Sequence, residues 1–248
     1  MSGHSKWSTI KHQKEATDKA RGKLFSKLSK AISVAIKTGG GVDPDTNYKL
    51  RIAIDVAKAS NMPKANIERI LAKKGEEGQL EEISYEGFGP EGIVVIALAA
   101  TDNRNRTSQE IKGIFDRAGG HLAGPGAVSY NFSPRALILV KRENDIEGQM
   151  LRLIDLQVEE IEEAEDGIEV YVSPAQLRRT REKIENMGFS VISTELTQEP
   201  KSYQTIEDEA KATRVLKFLD SLSEHDDIQK VFANVDIPEK TLKKVGVN

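Results

Sequence analysis

Lys19, Lys23, Lys27 and Lys30 recur at spacings of four and three residues, which places their side chains along one face of a helix. Ammonium groups at that pitch can meet successive phosphates of a nucleic acid. They continue a leader, MSGHSKWSTIKHQKEATDKARGK, in which His4, Lys6, Trp7, Lys11, His12, Lys14 and Arg21 add cations, imidazoles and an indole. From Met1 to Lys37 nine Lys/Arg stand against two acids, a balance of +7. His4 and His12 can touch phosphate or base, or lie on solvated surface. Trp7 can stack on a base or anchor the leader to the body.

A second group is TDNRNRTSQE, Thr101 to Glu110. Asp102, Asn103 and Asn105 are turn formers, and Thr107 with Glu110 three residues on reads as a capping box at a helix start. Arg104 and Arg106 flank that start, where unpaired backbone N–H groups already favour an anion. The stretch Asp102, Asn103, Arg104, Asn105, Arg106 is therefore expected to be an anion- or partner-binding loop. The competing reading has the two arginines pairing with nearby acids.

Other chemistries lack their parts. The chain has no cysteine, so disulfides, thiolate metal sites and a cysteine nucleophile are excluded. His4, His12, His121 and His225 are scattered, without an H-E-x-x-H or other metal spacing, so no metal is expected. Gly87-Phe88-Gly89-Pro90-Glu91-Gly92 matches the string of dinucleotide folds but opens the strand-like IVVIALA where a helix is required. It reads as a hairpin turn, and no cofactor is expected. Gly39-Gly40-Gly41 lacks the Lys-Ser/Thr of a phosphate loop and stops a helix. An enzyme, for example a metal-dependent nuclease using Asp102, Glu110 or Asp226, would need a carboxylate cluster or a nucleophile with its base. The sequence displays neither, and a non-enzymatic protein is expected.

The elements that carry these residues fall into three groups. Residues 1–78 hold 16 Lys/Arg and 8 Asp/Glu, a balance of +8, while the remainder of the 248 residues holds 20 and 31, a balance of −11. The basic end then either faces nucleic acid or docks on the acidic body. Leu24, Phe25, Leu28, Ile32, Ala35 and Ile36 form the apolar stripe of a first helix; KLRIAIDVAKAS and a segment from Pro63 to Gly75 supply two more. The order after Pro134 is β-α-β-β-α-β, the ferredoxin-like arrangement. The segment from Ile83 to Phe132 lacks a helix and a strand that the chain after Tyr203 can supply. The fold class is α+β with three domains: a small helical bundle at 1–78, a discontinuous α+β domain of 79–133 with 203–248, and an inserted ferredoxin-like domain at 134–202. Similar architecture is expected of the two α+β units. The leader is expected to be dispensable for folding. The longest apolar run, IVVIALAA, is too short to span a bilayer, so no membrane partner is expected and the cytoplasm is the default.

GHSKWSTIKHQK at Gly3, GKLFSKL at Gly22, GGGVDPDTN at Gly39, NMPKANIER at Asn61, YEGFGPEG at Tyr85, TDNRNRT at Thr101, GGHLAGPGAVSYNF at Gly119 and DDIQKVFANVD at Asp226 together resemble the YebC family. That family includes bacterial proteins called probable transcriptional regulators and a mitochondrial translational activator of cytochrome c oxidase. The resemblance runs nearly the full length; after Phe132 this chain has SPRALI where many relatives have Lys-Gly. It implies three domains around a cleft and a non-enzymatic role in gene expression. It also implies a nucleic-acid partner. One possibility is ribosomal RNA or tRNA on the ribosome, with relief of stalling at sites such as proline runs; the alternative is double-stranded DNA at promoters.

Overall fold

The computed structural model describes residues 4–6, 18–73, 80–164 and 167–246. The lysine stripe lies on α1 (Asp18–Thr38), whose opposite side buries Leu28, Ile32, Ala35 and Ile36. These pack with Leu50, Ile54 and Ala57 of α2 (Tyr48–Ala59) and Ile67 and Ile70 of α3 (Lys64–Ala72) in one apolar cluster. Gly40 and Gly41 end α1 at φ of 97° and 125°, left-handed conformations that side chains other than glycine rarely adopt. Asn47 then fixes the corner. Its Oδ1 caps α2 by accepting from Leu50 N at 3.0 Å, and its Nδ2 donates to the carbonyls of Ala35 at 2.8 Å and Gly41 at 2.7 Å.

β2 (Glu81–Phe88) and β3 (Val94–Thr101) form a hairpin across the Gly89–Gly92 turn. Next come α4 (Arg104–Arg117) and β4 (His121–Ala123). The chain after residue 203 returns α7 (Glu209–Ser223) and β10 (Ile228–Ala233) to this sheet, whose order is β10-β3-β2-β4. Ile111 and Phe115 of α4 and Val215, Leu219 and Leu222 of α7 bury against Val95, Ala97 and Val231. Neither segment could cover that apolar face alone, so the middle domain is discontinuous.

Between them lies the ferredoxin-like domain: β5 (Phe132–Val140), α5 (Ile146–Ile154), β6 (Glu160–Ala164), β7 (Gly167–Val172), α6 (Leu177–Asn186) and β8 (Val191–Pro200), with sheet order β6-β7-β5-β8. Both α+β units are four-stranded antiparallel sheets with two helices on one face. Their strand orders nevertheless differ. In the middle domain the last strand pairs with the second, because β2 and β3 are consumed in a hairpin before the first helix; in the inserted domain it pairs with the first. The expected similarity of architecture therefore stops at the layers.

The leader also departs from its expected dispensability. β1 (His4–Lys6) pairs antiparallel with β11 (Val235–Pro238), which pairs in parallel with β9 (Gln204–Thr205) and precedes α8 (Glu239–Lys244). Removing it would strip β11 of one row of ladder bonds.

The sheet face away from α4 and α7 is closed by the loop before β5, where Val128 and Phe132 pack on Val94 and Ile96. A buried carboxylate holds that loop. Glu86 accepts from the backbone N–H groups of Gly126 at 2.9 Å, Val128 at 2.8 Å and Ser129 at 2.8 Å. Burial alone would push its carboxyl up, but the three backbone donors outweigh it and the carboxyl sits below its usual range. Glu86→Gln should therefore cost about 2 kcal/mol in urea unfolding at neutral pH. Because the folded-state value is depressed, this advantage is full above the ordinary glutamate range. It should shrink as acid protonates Glu86, so the two proteins converge at low pH.

Candidate nucleic-acid interface

Among the described residues, Lys23, Lys27 and Lys30 of the stripe all turn toward the middle domain. Lys23 Nζ lies 3.1 Å from Asp226 Oδ1. Lys27 Nζ donates to the carbonyls of Ser223 at 2.5 Å and Ile228 at 2.7 Å. Lys30 Nζ donates to Asp227 Oδ1 at 2.5 Å and to the Asp226 carbonyl at 3.3 Å. The stripe thus sits on the turn between α7 and β10, and Lys27 satisfies a carbonyl left unpaired at the α7 C-terminus, where the helix dipole is negative. Lys23 lowers the Asp226 carboxyl, against a smaller opposing effect of burial.

Asp227 is the centre of the contact, with 4% of its side chain exposed. Its Oδ2 accepts from Arg106 Nη2 at 2.9 Å and Thr107 Oγ1 at 2.7 Å. Since the Thr107 hydroxyl gives its proton to a carboxylate, it accepts from Thr101 Oγ1 at 2.8 Å, which in turn accepts from Asn103 N at 2.9 Å. Burial works to raise the Asp227 carboxyl; Lys30, Thr107 and Arg106 reverse that and push it far below its ordinary value. Asp227 in turn raises Arg106.

These contacts correct the local reading of the loop. α4 starts at Arg104, with Asn103 as its cap accepting from Arg106 N at 3.1 Å, so Thr107 lies inside the helix, fully buried, and is not a cap. A hydroxyl that can reach a buried carboxylate is held there more strongly than at a helix end. Arg106 bridges Asp102 at 2.9 Å and Asp227 at 2.9 Å. Asn105 and Arg104 are exposed, and no carboxylate among the described residues pairs with Arg104.

α1, α4 and the 224–227 turn border an open cleft of about 690 Å³ whose wall carries Lys23, Arg106, Arg117, Glu110 and His225. Glu110, His225 and Asp227 bring ligand-type atoms within 4.8 Å of one another. Their donor pattern suits a proton better than an ion. His225 Nδ1 accepts from Asp227 N at 3.1 Å, so Nε2 carries the proton and donates to Glu110 Oε2 at 3.0 Å. A metal-bound histidine donates from its other nitrogen, and here that nitrogen faces a donor.

Of the residues singled out in the sequence, Lys23, Lys27, Lys30, Asp102 and Arg106 are brought to this one locus. Arg21 is exposed near the start of α1. Trp7, Lys11, His12 and Lys14 lie outside the described residues, as do the side chains of His4, Lys6 and Lys19. The partners of the stripe, Asp226, Asp227 and the carbonyls of Ser223 and Ile228, show no sign of that role in the sequence around them. The available signal was the opposite net charge of residues 1–78 and of the rest of the chain.

A three-domain α+β protein with a basic helical bundle seated on an acidic turn is the class these features define. The family described as TACO1/YebC protein N-terminal domain matches residues 5–77, and that described as TACO1/YebC second and third domain matches residues 80–235. The chain belongs to the TACO1/YebC family. It is 43% identical over 242 residues to a "Probable transcriptional regulatory protein" of Anoxybacillus flavithermus, covering 95% of this chain and 98% of that one. A protein of the same description from Aquifex aeolicus is 43% identical, covering 99% and 100%. The crystal structure of the conserved hypothetical protein Aq1575 from Aquifex aeolicus superposes with a TM-score of 0.84 at 42% identity over 94% of this chain and 97% of that one.

Asp227→Asn keeps the shape of the side chain and removes its charge. It should cost about 2 to 3 kcal/mol, at the low end for a buried ion pair because Lys30 and Arg106 still reach water. The pH dependence follows from a depressed folded-state value. Wild type should hold its full advantage above the ordinary aspartate value near 3.8 and lose it as the pH falls below. Thermal melts of both proteins across acid pH check it.

Proposed function

We propose that this protein is a non-enzymatic, nucleic-acid-binding regulator of gene expression that acts in the cytoplasm on the ribosome, relieving stalls such as those at proline runs. The observation that carries the nucleic-acid reading is charge separation: +8 within residues 1–78 on a body of −11. One basic arm on an acidic body suits insertion into a crowded RNA site, where the body is repelled and the arm is drawn in. The working units are 1–78, 79–133 with 203–248, and 134–202. Phosphate contacts fall to the leader, with His4, Lys6, Trp7, Lys11, His12 and Lys14, and to Lys19, Arg21, Lys23, Lys27 and Lys30 of the first helix. Arg104 and its neighbours form a further contact loop. A non-enzymatic role is supported by the cleft trio, whose Asp227 oxygens are taken by Lys30, Arg106 and Thr107.

The second reading is a double-stranded-DNA-binding transcriptional regulator, favoured by the printed names of the Anoxybacillus and Aquifex relatives. Cosedimentation with ribosomes, set against gel shifts on promoter DNA with competitor present, separates the two. Salt dependence adds a count. Changing Lys11, Lys14 and Lys19 to Gln should make log affinity less steep in log salt by about 0.7 per lost contact for single-stranded RNA and about 0.9 for duplex DNA. An unchanged slope would remove the leader from the interface.

A further inference from the structure

The helical bundle meets the other two domains in two physically different ways. Against the ferredoxin-like domain it shares a core: Ile52 is buried in that domain's apolar cluster, Tyr48 and Val56 pack on it, and Arg181 Nη1 bonds Asp55 Oδ2 at 2.7 Å. Against the middle domain no residue of 18–73 joins either apolar cluster. Side-chain bonds to it come from Lys23, Lys27 and Lys30. The ferredoxin-like domain meets β10 in the same polar fashion, through Lys230 to Glu195 Oε2 at 3.2 Å and to the Leu196 carbonyl at 2.7 Å. Its pivot lies close by, where Phe132 is rooted in the middle domain and Lys201 N donates to the Asn131 carbonyl at 2.7 Å.

We propose that the bundle and the ferredoxin-like domain form one body that hinges on the middle domain near residues 131–133 and 200–204, held shut by these lysine contacts and opened by a polyanion that competes for the lysines. Apolar burial holds the first interface whatever the salt, while ammonium contacts to a carboxylate or carbonyl can be exchanged for contacts to phosphate. Closed, Lys23, Lys27 and Lys30 are engaged by the 223–228 segment; open, they are freed as one basic face. The choice of polyanion rests on the nucleic-acid reading above; the hinge does not.

The absence of cysteine makes the test direct. Dye pairs on Lys64→Cys with Ser221→Cys, and on Lys64→Cys with Arg179→Cys, report the two interfaces in the full-length protein. Raising salt from about 0.05 to about 0.5 M, or adding poly(U) at low salt, should lengthen the first distance and leave the second unchanged. Asp226→Asn/Asp227→Asn should open the protein at low salt and tighten poly(U) binding about three- to tenfold, whereas Asp116→Asn/Glu147→Gln, an equal change of charge at exposed positions away from the latch, should do neither. If the double variant folds poorly, Asp226→Asn/Glu195→Gln weakens the Lys23 and Lys230 contacts without touching the buried Asp227. A first distance that ignores salt and variant alike overturns the hinge, as does a second that changes with the first. Opening without a gain in poly(U) affinity overturns the masking. Opening by salt with no poly(U) binding in any form supports the hinge and sinks the nucleic-acid reading instead.

Discussion

Asp227 has lost nearly all contact with water, and a buried carboxylate survives as an anion only if every lone pair is met. Two helices supply what it needs: Lys30 from α1, and Arg106 and Thr107 from α4. Its own backbone ties down the neighbourhood, its N–H going to His225 and its carbonyl accepting from Ala100 N at 2.8 Å. The direction of the Thr101–Thr107 chain and the seat of Lys30 on α1 follow from keeping that one charge satisfied. Removing it would leave cations gathered with nothing to gather around.

The same contact explains why a chain of this size can be three domains without being one rigid block. Each domain has its own apolar cluster, and among the described residues the bundle joins one neighbour, the ferredoxin-like domain, through such a cluster. Hydrophobic contacts are not directional and do not fade with salt, so the bundle and the ferredoxin-like domain are bound continuously. The lysine contacts are ionic and hydrogen-bonded, so a competing anion can exchange with them where nothing can exchange with apolar burial. A molecule built this way has its soft boundary along the edge of the middle domain.

The family relationship sharpens this picture. Residues 5–77 and 80–235 match two separate family descriptions, and the break between them falls where the bundle gives way to the middle domain. The relatives' names point to gene regulation, and the residues assembled at the cleft tie α1, α4 and the 224–227 turn together. Among the described residues no helix is long and apolar enough to cross a membrane.

Local periodicity and composition were enough to place the three helices of the bundle, the β-α-β-β-α-β order after Pro134 and the need for the chain after Tyr203 to return to the middle domain. Each depends on short-range rules: the 3.6-residue repeat, the alternation of strands, glycines that end helices, and an apolar face that must be covered. The charge separation was equally plain. What the sequence could not decide was where the charges go. A lysine stripe reads the same whether it faces phosphate or a carboxylate almost 200 positions away, as Lys30 faces Asp227. Thr107 reads as a cap until Asp227 is brought beside it, and His4 to Lys6 read as a loose leader until β11 offers an edge. Long-range pairing leaves no local trace, because the residues that satisfy a buried charge or a strand edge are chosen by the fold and not by their neighbours in the chain.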